Sequence, residues 1–223
     1  MMTWKLILMQ NSSSPIMEQL TFFHNYTLLM LLMITSMVMY YMLLIIMNKF
    51  IFQFILNFQL IEFIWTIIPM IILIFMAFPS LKLLYLMDEN NNSMISIKTI
   101  GYQWYWSYEY SDFKNINFNS YMKNMYKSYE FKMLETDSQL IIPFKTQIKF
   151  LISSNDVLHS WTIPSLNIKI DAIPGRLNQI NLMINQTGLF FGQCSEICGI
   201  NHSFMPIMLE SISMKFFMYW LKK

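Results

Sequence analysis

Leu28-Leu-Met-Leu-Leu-Met-Ile-Thr-Ser-Met-Val-Met-Tyr-Tyr-Met-Leu-Leu-Ile-Ile-Met47 decides the fold class, because it offers water almost nothing. No residue from Asn25 to Asn48 is charged. At a helical rise of 1.5 Å per residue, about 20 such residues cross a hydrocarbon core of roughly 30 Å. A buried helix in a soluble core is usually shorter and keeps a polar edge. The run therefore predicts a membrane span. The reading repeats further along, where Phe63–Leu81 lies uncharged between Glu62 and Lys82. Pro69 falls inside this second run and is tolerated where neighbouring groups re-satisfy the backbone.

The stretch around Asn48–Ile61 turns the chain back, so its N-terminus and everything past Met87 are expected on one side of the bilayer. Lys49 in the loop and Lys82 at the far end balance one another, and charge bias fixes no orientation. Residues 1–10 hold one lysine and a short apolar run, unlike a signal peptide or an Arg-rich transit sequence. The chain is expected to keep its start. The predicted organisation is an N-terminal segment 1–25, a hairpin 26–87 with spans at about 26–48 and 62–87, and a domain in water, 88–223.

Composition agrees. Of 223 residues, 55% are hydrophobic and only 13% charged, against roughly 25% charged in soluble domains. A net charge of +2 without a dense basic patch gives no reason to expect nucleic acid. The 22 methionines read as flexible apolar filler, so a Met becomes a candidate ligand only beside Cys and His. Sequons at Asn11, Asn25, Asn91, Asn185 and Asn201 follow from an Asn-rich composition.

Past Asp88-Glu89-Asn90-Asn91-Asn92 the texture becomes short β-like runs: Ile95–Ile100, Tyr102–Tyr110, Thr146–Ile152, Val157–Ile163, Gln179–Ile184, Gly188–Gln193 and Pro206–Ser211. That spacing, with no long helix between runs, predicts an antiparallel sandwich or barrel. Met214–Leu221 reads as a short amphipathic helix.

The chemistry is densest in Gly192-Gln-Cys-Ser-Glu-Ile-Cys-Gly-Ile-Asn-His-Ser-Phe-Met-Pro206, which holds Cys194, Cys198, His202 and Met205. His159 lies upstream in Asp156-Val-Leu-His-Ser-Trp161, close enough in a sheet to return beside this loop. Thiolate and thioether are soft ligands suited to copper. Two thiolates and two imidazoles also suit tetrahedral zinc, although Met205 gains little from that metal. A Cys194–Cys198 disulfide with incidental histidines is the plainest alternative.

Taken in order, these motifs resemble the mitochondrial cytochrome c oxidase subunit II family over nearly the whole chain. Ser14-Pro-Ile-Met-Glu18, Glu62-Phe-Ile-Trp-Thr66 with Pro69, Gly101-Tyr-Gln-Trp-Tyr-Trp106, Leu158-His-Ser-Trp161, Asp171-Ala-Ile-Pro-Gly-Arg176, Gly192–Cys198 and His202–Pro206 carry the resemblance. It implies an α+β membrane protein: a two-helix transmembrane hairpin followed by a cupredoxin-like antiparallel β-barrel. It implies a dinuclear copper A centre bridged by Cys194 and Cys198. His159 and Met205 would complete one copper; His202 and the backbone carbonyl of Glu196 would complete the other. The Glu196 carboxylate would bind magnesium at the contact with subunit I.

The resemblance further implies electron entry from cytochrome c near Trp104 and transfer to haem a of subunit I, where oxygen is reduced and protons are pumped. No oxygen-reducing site is expected in this chain. Glu62 would lie at a proton-pathway entrance on the matrix side, and the copper domain in the intermembrane space of the inner mitochondrial membrane. Without the resemblance, Trp104 reads as core packing and Glu62 as an interfacial acid. Tyr102 stands where the family more often has histidine. Glu109, Asp112 and Asp156 keep the negative charge that attracts the donor's lysines, but Lys114 and Asn115 replace further acids, so weaker electrostatic steering is expected. The rival readings are a membrane-tethered copper carrier and a quinol-oxidising relative without copper; the closed ligand set disfavours both.

Overall fold

The computed structural model describes residues 9–51, 57–89, 92–113, 116–125 and 127–222. Lys114 and Asn115 lie outside these described residues. Two long helices come first, α1 (Pro15–Met47) and α2 (Gln59–Asp88). Both are long and apolar enough to cross a membrane. Their side chains point outward; Ile46 and Met47 are 74% and 77% exposed, which only a lipid environment makes favourable.

Helix α2 carries prolines at 69 and 79. Pro79 has no N–H to offer the Phe75 carbonyl one turn back. The Tyr26 hydroxyl of α1 donates to that carbonyl at 3.5 Å, a long bond that links the two helices where the backbone ladder is interrupted.

The rest of the chain forms a β domain: β1 (Ile95–Tyr102), β2 (Tyr105–Tyr110), β3 (Ile116–Ser120), β4 (Leu140–Pro143), β5 (Ile148–Ser154), β6 (His159–Ile163), β7 (Ile168–Ala172), β8 (Asn178–Leu182), β9 (Gly188–Gln193) and β10 (Pro206–Ile212), closed by α3 (Met214–Leu221). One sheet runs β3-β2-β1-β5-β8, a second β4-β10-β9, and β6 pairs with β7. Most pairs are antiparallel, as expected. Pairs β1–β5 and β4–β10 are parallel, a departure from the purely antiparallel arrangement. The run expected as one strand over Tyr102–Tyr110 is instead the end of a hairpin. Tyr102 pairs with Tyr105, and Gln103-Trp104 form its two-residue turn. Strands β3, β4 and β7 were not among the expected runs.

Alternation drives the packing. Strand β1 buries Ile95 and Ile97, strand β2 buries Trp106, Tyr108 and Tyr110, and strand β5 buries Ile148, Phe150 and Ile152. Two buried aromatic polar tips are satisfied across layers. The Tyr110 hydroxyl donates to the Ile141 carbonyl at 2.7 Å and accepts from the Ile141 amide, and Trp161 Nε1 donates to the Tyr108 hydroxyl at 3.3 Å. Burial pushes both phenols far above their ordinary range. Helix α3 seats Phe217 against Phe113 and Trp220.

The chain separates into two compact units, Gln19–Glu89 and a second made of the residues before and after it. The residues preceding α1 therefore belong with the β domain. The Ser13 amide donates to the Ser165 carbonyl, the Asn185 amide to the Ser13 carbonyl, and the Ser14 hydroxyl to the Leu166 carbonyl. Gln186 Nε2 reaches the Ser13 hydroxyl at 2.6 Å.

Candidate metal centre

Three pieces of backbone converge at one end of the β domain: the start of β6, the loop after β9 and the start of β10. Strand β6 begins at His159, fully buried against Trp106, whose ring lies 5.9 Å away edge-on. After β9 the chain leaves the ladder at Cys194 and re-enters it at Pro206, opposite Gln193. Between them, Gly199 adopts φ +127°, which side-chain-bearing residues rarely take, and His202–Phe204 make one 3₁₀ turn. Trp106 Nε1 donates to the Met205 carbonyl at 3.4 Å.

This route brings the soft donors together. Cys194 Sγ lies 4.0 Å from His159 Nδ1 and 3.3 Å from the Glu196 carbonyl oxygen. Cys198 Sγ lies 3.4 Å from His202 Nδ1 and 3.5 Å from Met205 Sδ. The ligand atoms of His159, Cys194 and Cys198 all fall within 4.8 Å of one another. Both cysteines are free and buried, so the disulfide alternative does not describe this fold. Met205 is almost fully buried, as is His159, while His202 is half-buried.

The electrostatics suit a cation. Burial opposes charge on Cys194, yet hydrogen bonding from His159 and from the backbone at Ser160 and Glu196 holds its thiol below the ordinary value. Burial, then the neighbouring Cys194 thiolate, pushes Cys198 up to about 12. Without a cation only the first thiolate forms readily; a metal held between the sulfurs relieves that repulsion. Two thiols, two imidazoles, a thioether and a carbonyl oxygen fit soft copper better than zinc, which leaves the thioether without a purpose.

A second layer orients the first. His159 Nε2 lies 2.8 Å from Asp156 Oδ1. Asp156 also accepts from the Gln103 and Val157 amides. Gln103 Nε2 in turn donates to the Cys198 carbonyl at 2.8 Å. Asp156 was expected only as a surface acid; its role as a partner of His159 was not legible, since nothing local distinguishes this Asp-x-x-His from any other. Trp104, next along the hairpin turn, lies against Gly199, and its indole N–H has no hydrogen-bond partner among the described residues.

Glu62 sits exposed in the first turn of α2. Glu109 pairs with Lys98 at 3.2 Å, and Asp112 accepts from the Ser96 amide and hydroxyl at 2.7 Å. Glu196, whose carbonyl meets Cys194, is half-buried.

Comparison with known proteins follows the same division of the chain. The family "Cytochrome C oxidase subunit II, periplasmic domain" matches residues 95–212, and "Cytochrome C oxidase subunit II, transmembrane domain" matches residues 2–83. Cytochrome c oxidase subunit 2 of Aedes aegypti is 59% identical, with 99% of this chain and 98% of that protein covered. The protein of the same name from Acheta domesticus is 57% identical, with 100% and 98% covered. Among solved structures, the periplasmic domain of subunit II of cytochrome oxidase from Bradyrhizobium japonicum superposes with a TM-score of 0.56 at 38% identity, covering 59% of this chain and 94% of that one.

Proposed function

The chain belongs to the cytochrome c oxidase subunit II family, and on that footing we propose that Cys194, Cys198, His159, His202, Met205 and the Glu196 carbonyl hold its copper. It is a membrane subunit of an oxidoreductase whose partners are the other oxidase subunits. A dinuclear copper A centre held here would supply one-electron chemistry between cytochrome c and haem a of subunit I, where oxygen is reduced to water and protons are pumped. The observation that carries the ligand assignment is the convergence of three soft or imidazole donors, His159 Nδ1, His202 Nδ1 and Met205 Sδ, on the two free thiols at 3.4–4.0 Å.

The chain's own residues supply position and a dry wall. Cys194 and Cys198 would hold both copper ions through their thiolates, with His159 and Met205 completing one and His202 and the Glu196 carbonyl the other. Burial of His159, Met205 and Trp106 excludes water. The double hold on Asp156 keeps the His159 ring fixed. Trp104, packed on the ligand loop, is the entry for the donor's electron. Glu109, Asp112 and Asp156 form its acidic approach, and the half-buried Glu196 carboxylate is the hard ligand for magnesium at the subunit I contact. Glu62 lies at a proton-pathway entrance on the matrix side, with residues 88–223 in the intermembrane space of the inner mitochondrial membrane. A copper carrier needs an open, exchangeable ligand set, and this one is buried.

Electron paramagnetic resonance with metal analysis on the copper-loaded full-length chain tests the assignment. A signal from one unpaired electron shared equally by two coppers is expected. An ordinary localised copper signal, or zinc and no signal, would move the reading to a carrier.

A further inference from the structure

Helices α1 and α2 leave a groove of about 250 Å³ between them, and none of the proposed copper ligands lines it. Phe22, Phe23, Pro79 and Leu83 wall it, and Gln19 and Lys82 stand at its mouth. Tyr26 lies deeper, at the level where its hydroxyl meets the Phe75 carbonyl. From Lys82 to that level is seven residues of helix, about 10 Å.

The depth of this groove in a bilayer follows from the chain itself. The uncharged run between Glu62 and Lys82 spans about 30 Å, the thickness of one hydrocarbon core. Lys82 therefore stands where hydrocarbon gives way to headgroups, and the groove descends from that level among the acyl chains. Among the described residues no carboxylate pairs with the Lys82 ammonium.

A shallow depression adjoins the mouth, lined by Lys82, Tyr85, Asp88 and Glu89. Asp88 ends helix α2, Glu89 follows it, and the last turn holds no basic residue. Negative charge is disfavoured at that end of a helix dipole, and among the described residues neither acid forms an ion pair, so both gain from an added cation. A positive site at the hydrocarbon boundary, acids just above it and an apolar slot below match one kind of molecule in charge and in order.

We propose that this groove binds one zwitterionic glycerophospholipid. Its phosphate meets Lys82 and the Gln19 amide, its ammonium faces Asp88 and Glu89, and one acyl chain lies along Phe22, Phe23, Pro79 and Leu83. An anionic headgroup satisfies Lys82 but brings no cation to the acids, so phosphatidylethanolamine binds in preference to phosphatidylglycerol. The inference depends on the helices lying in a bilayer and not on the copper ligands.

The test uses the intact oxidase complex in vesicles doped with phosphatidylethanolamine bearing a photoactivatable acyl chain, with labelled peptides mapped by mass spectrometry. Labelling concentrates on residues 22–26 and 79–86, and unlabelled phosphatidylethanolamine competes better than phosphatidylglycerol. Lys82→Gln lowers this labelling roughly tenfold, the scale of one lost charge-assisted contact. Lys82→Arg retains it, and Lys49→Gln at the opposite end of the hairpin leaves it unchanged. Labelling spread evenly over outward residues such as Ile46, indifference to Lys82→Gln, equal competition by the two lipids, or cross-links from Phe22 to another oxidase subunit would each overturn the site. Copper resonance recorded on the same sample separates the two readings, because an absent dinuclear signal with groove labelling intact counts against the copper assignment alone.

Discussion

The imidazole of His159 is held from both sides: Nδ1 faces the Cys194 thiol, and Nε2 lies 2.8 Å from Asp156 Oδ1. One nitrogen is thereby directed to the proposed metal position and the other to a carboxylate, an arrangement that would fix the tautomer and strengthen the ligand. Asp156→Asn preserves the shape but removes the charge. It is expected to weaken copper binding about 10-fold to 100-fold, with the fold intact. Competition against a chelator measures the affinity and far-ultraviolet circular dichroism monitors the fold. Unchanged affinity would sink the orienting role.

Two glycines near the centre should respond differently to the same change. A Cβ on Gly192 would sit 1.9 Å from the Thr162 carbonyl oxygen, and backbone there cannot give way locally. Gly192→Ala should cost roughly 2 kcal/mol or more in unfolding experiments, by forcing β9 from β6. A Cβ on Gly101 would meet the His159 ring at 2.8 Å. Gly101→Ala should chiefly alter the copper spectrum, because the ring is what moves. Equal loss of stability in both variants would contradict this distinction.

Lys123 pins the segment between β3 and β4, reaching Glu130 Oε1 and Glu135 Oε2 at 3.0 Å each. Glu130 also accepts from the Lys127 amide and Glu135 from the Phe131 amide. The Lys127 amide, then Lys123, hold the Glu130 carboxyl below its ordinary value; the two glutamates raise Lys123. A depressed carboxyl stabilises above its unfolded value and loses that contribution as pH falls through the folded one. A raised lysine does the reverse at the alkaline end. Protection of the Lys127 and Phe131 amides, taken relative to their intrinsic exchange rates, should therefore be highest between those limits and fall below the ordinary carboxylate value of about 4. Protection that persists well into acid would exclude the clamp.

The three acids proposed to receive the electron donor are already engaged within the chain. Glu109 faces Lys98, Asp112 caps Ser96, and Asp156 serves His159 and Gln103. From Lys82 onward 13 basic residues outnumber 11 acidic ones. The association rate with cytochrome c should fall less steeply with ionic strength than for an acid-rich relative. Stopped-flow measurements across a salt series decide it; an equally steep slope would show that the engaged acids still steer.

The spans and the metal loop were legible because each rests on local composition: an uncharged run of fixed length, and soft ligands crowded between glycines. The missed strands were short or atypical. Strand β3, Ile116-Asn-Phe-Asn-Ser120, carries asparagines that disfavour strands, and β4 is four residues ending in Pro143. The parallel pairs β1–β5 and β4–β10 were hidden for another reason. Alternation records which face is buried, but it says nothing about the direction of a neighbouring strand. The Gln103-Trp104 turn escaped because it contains neither glycine nor asparagine, the usual signs of a two-residue hairpin.

Biosynthesis inherits a constraint from the stitches at Ser13 and Ser14. Ser14 bonds across 152 residues to Leu166, and Gln186 reaches back 173 residues to Ser13. These serines leave the ribosome ahead of either membrane helix, and their partners emerge after both helices and most of the strands. Ser13 and Ser14 must therefore wait, unpaired, until the β domain that receives them has been made. Insertion of the hairpin precedes closure of the domain, and a fragment begun after the hairpin folds without one of its own seams.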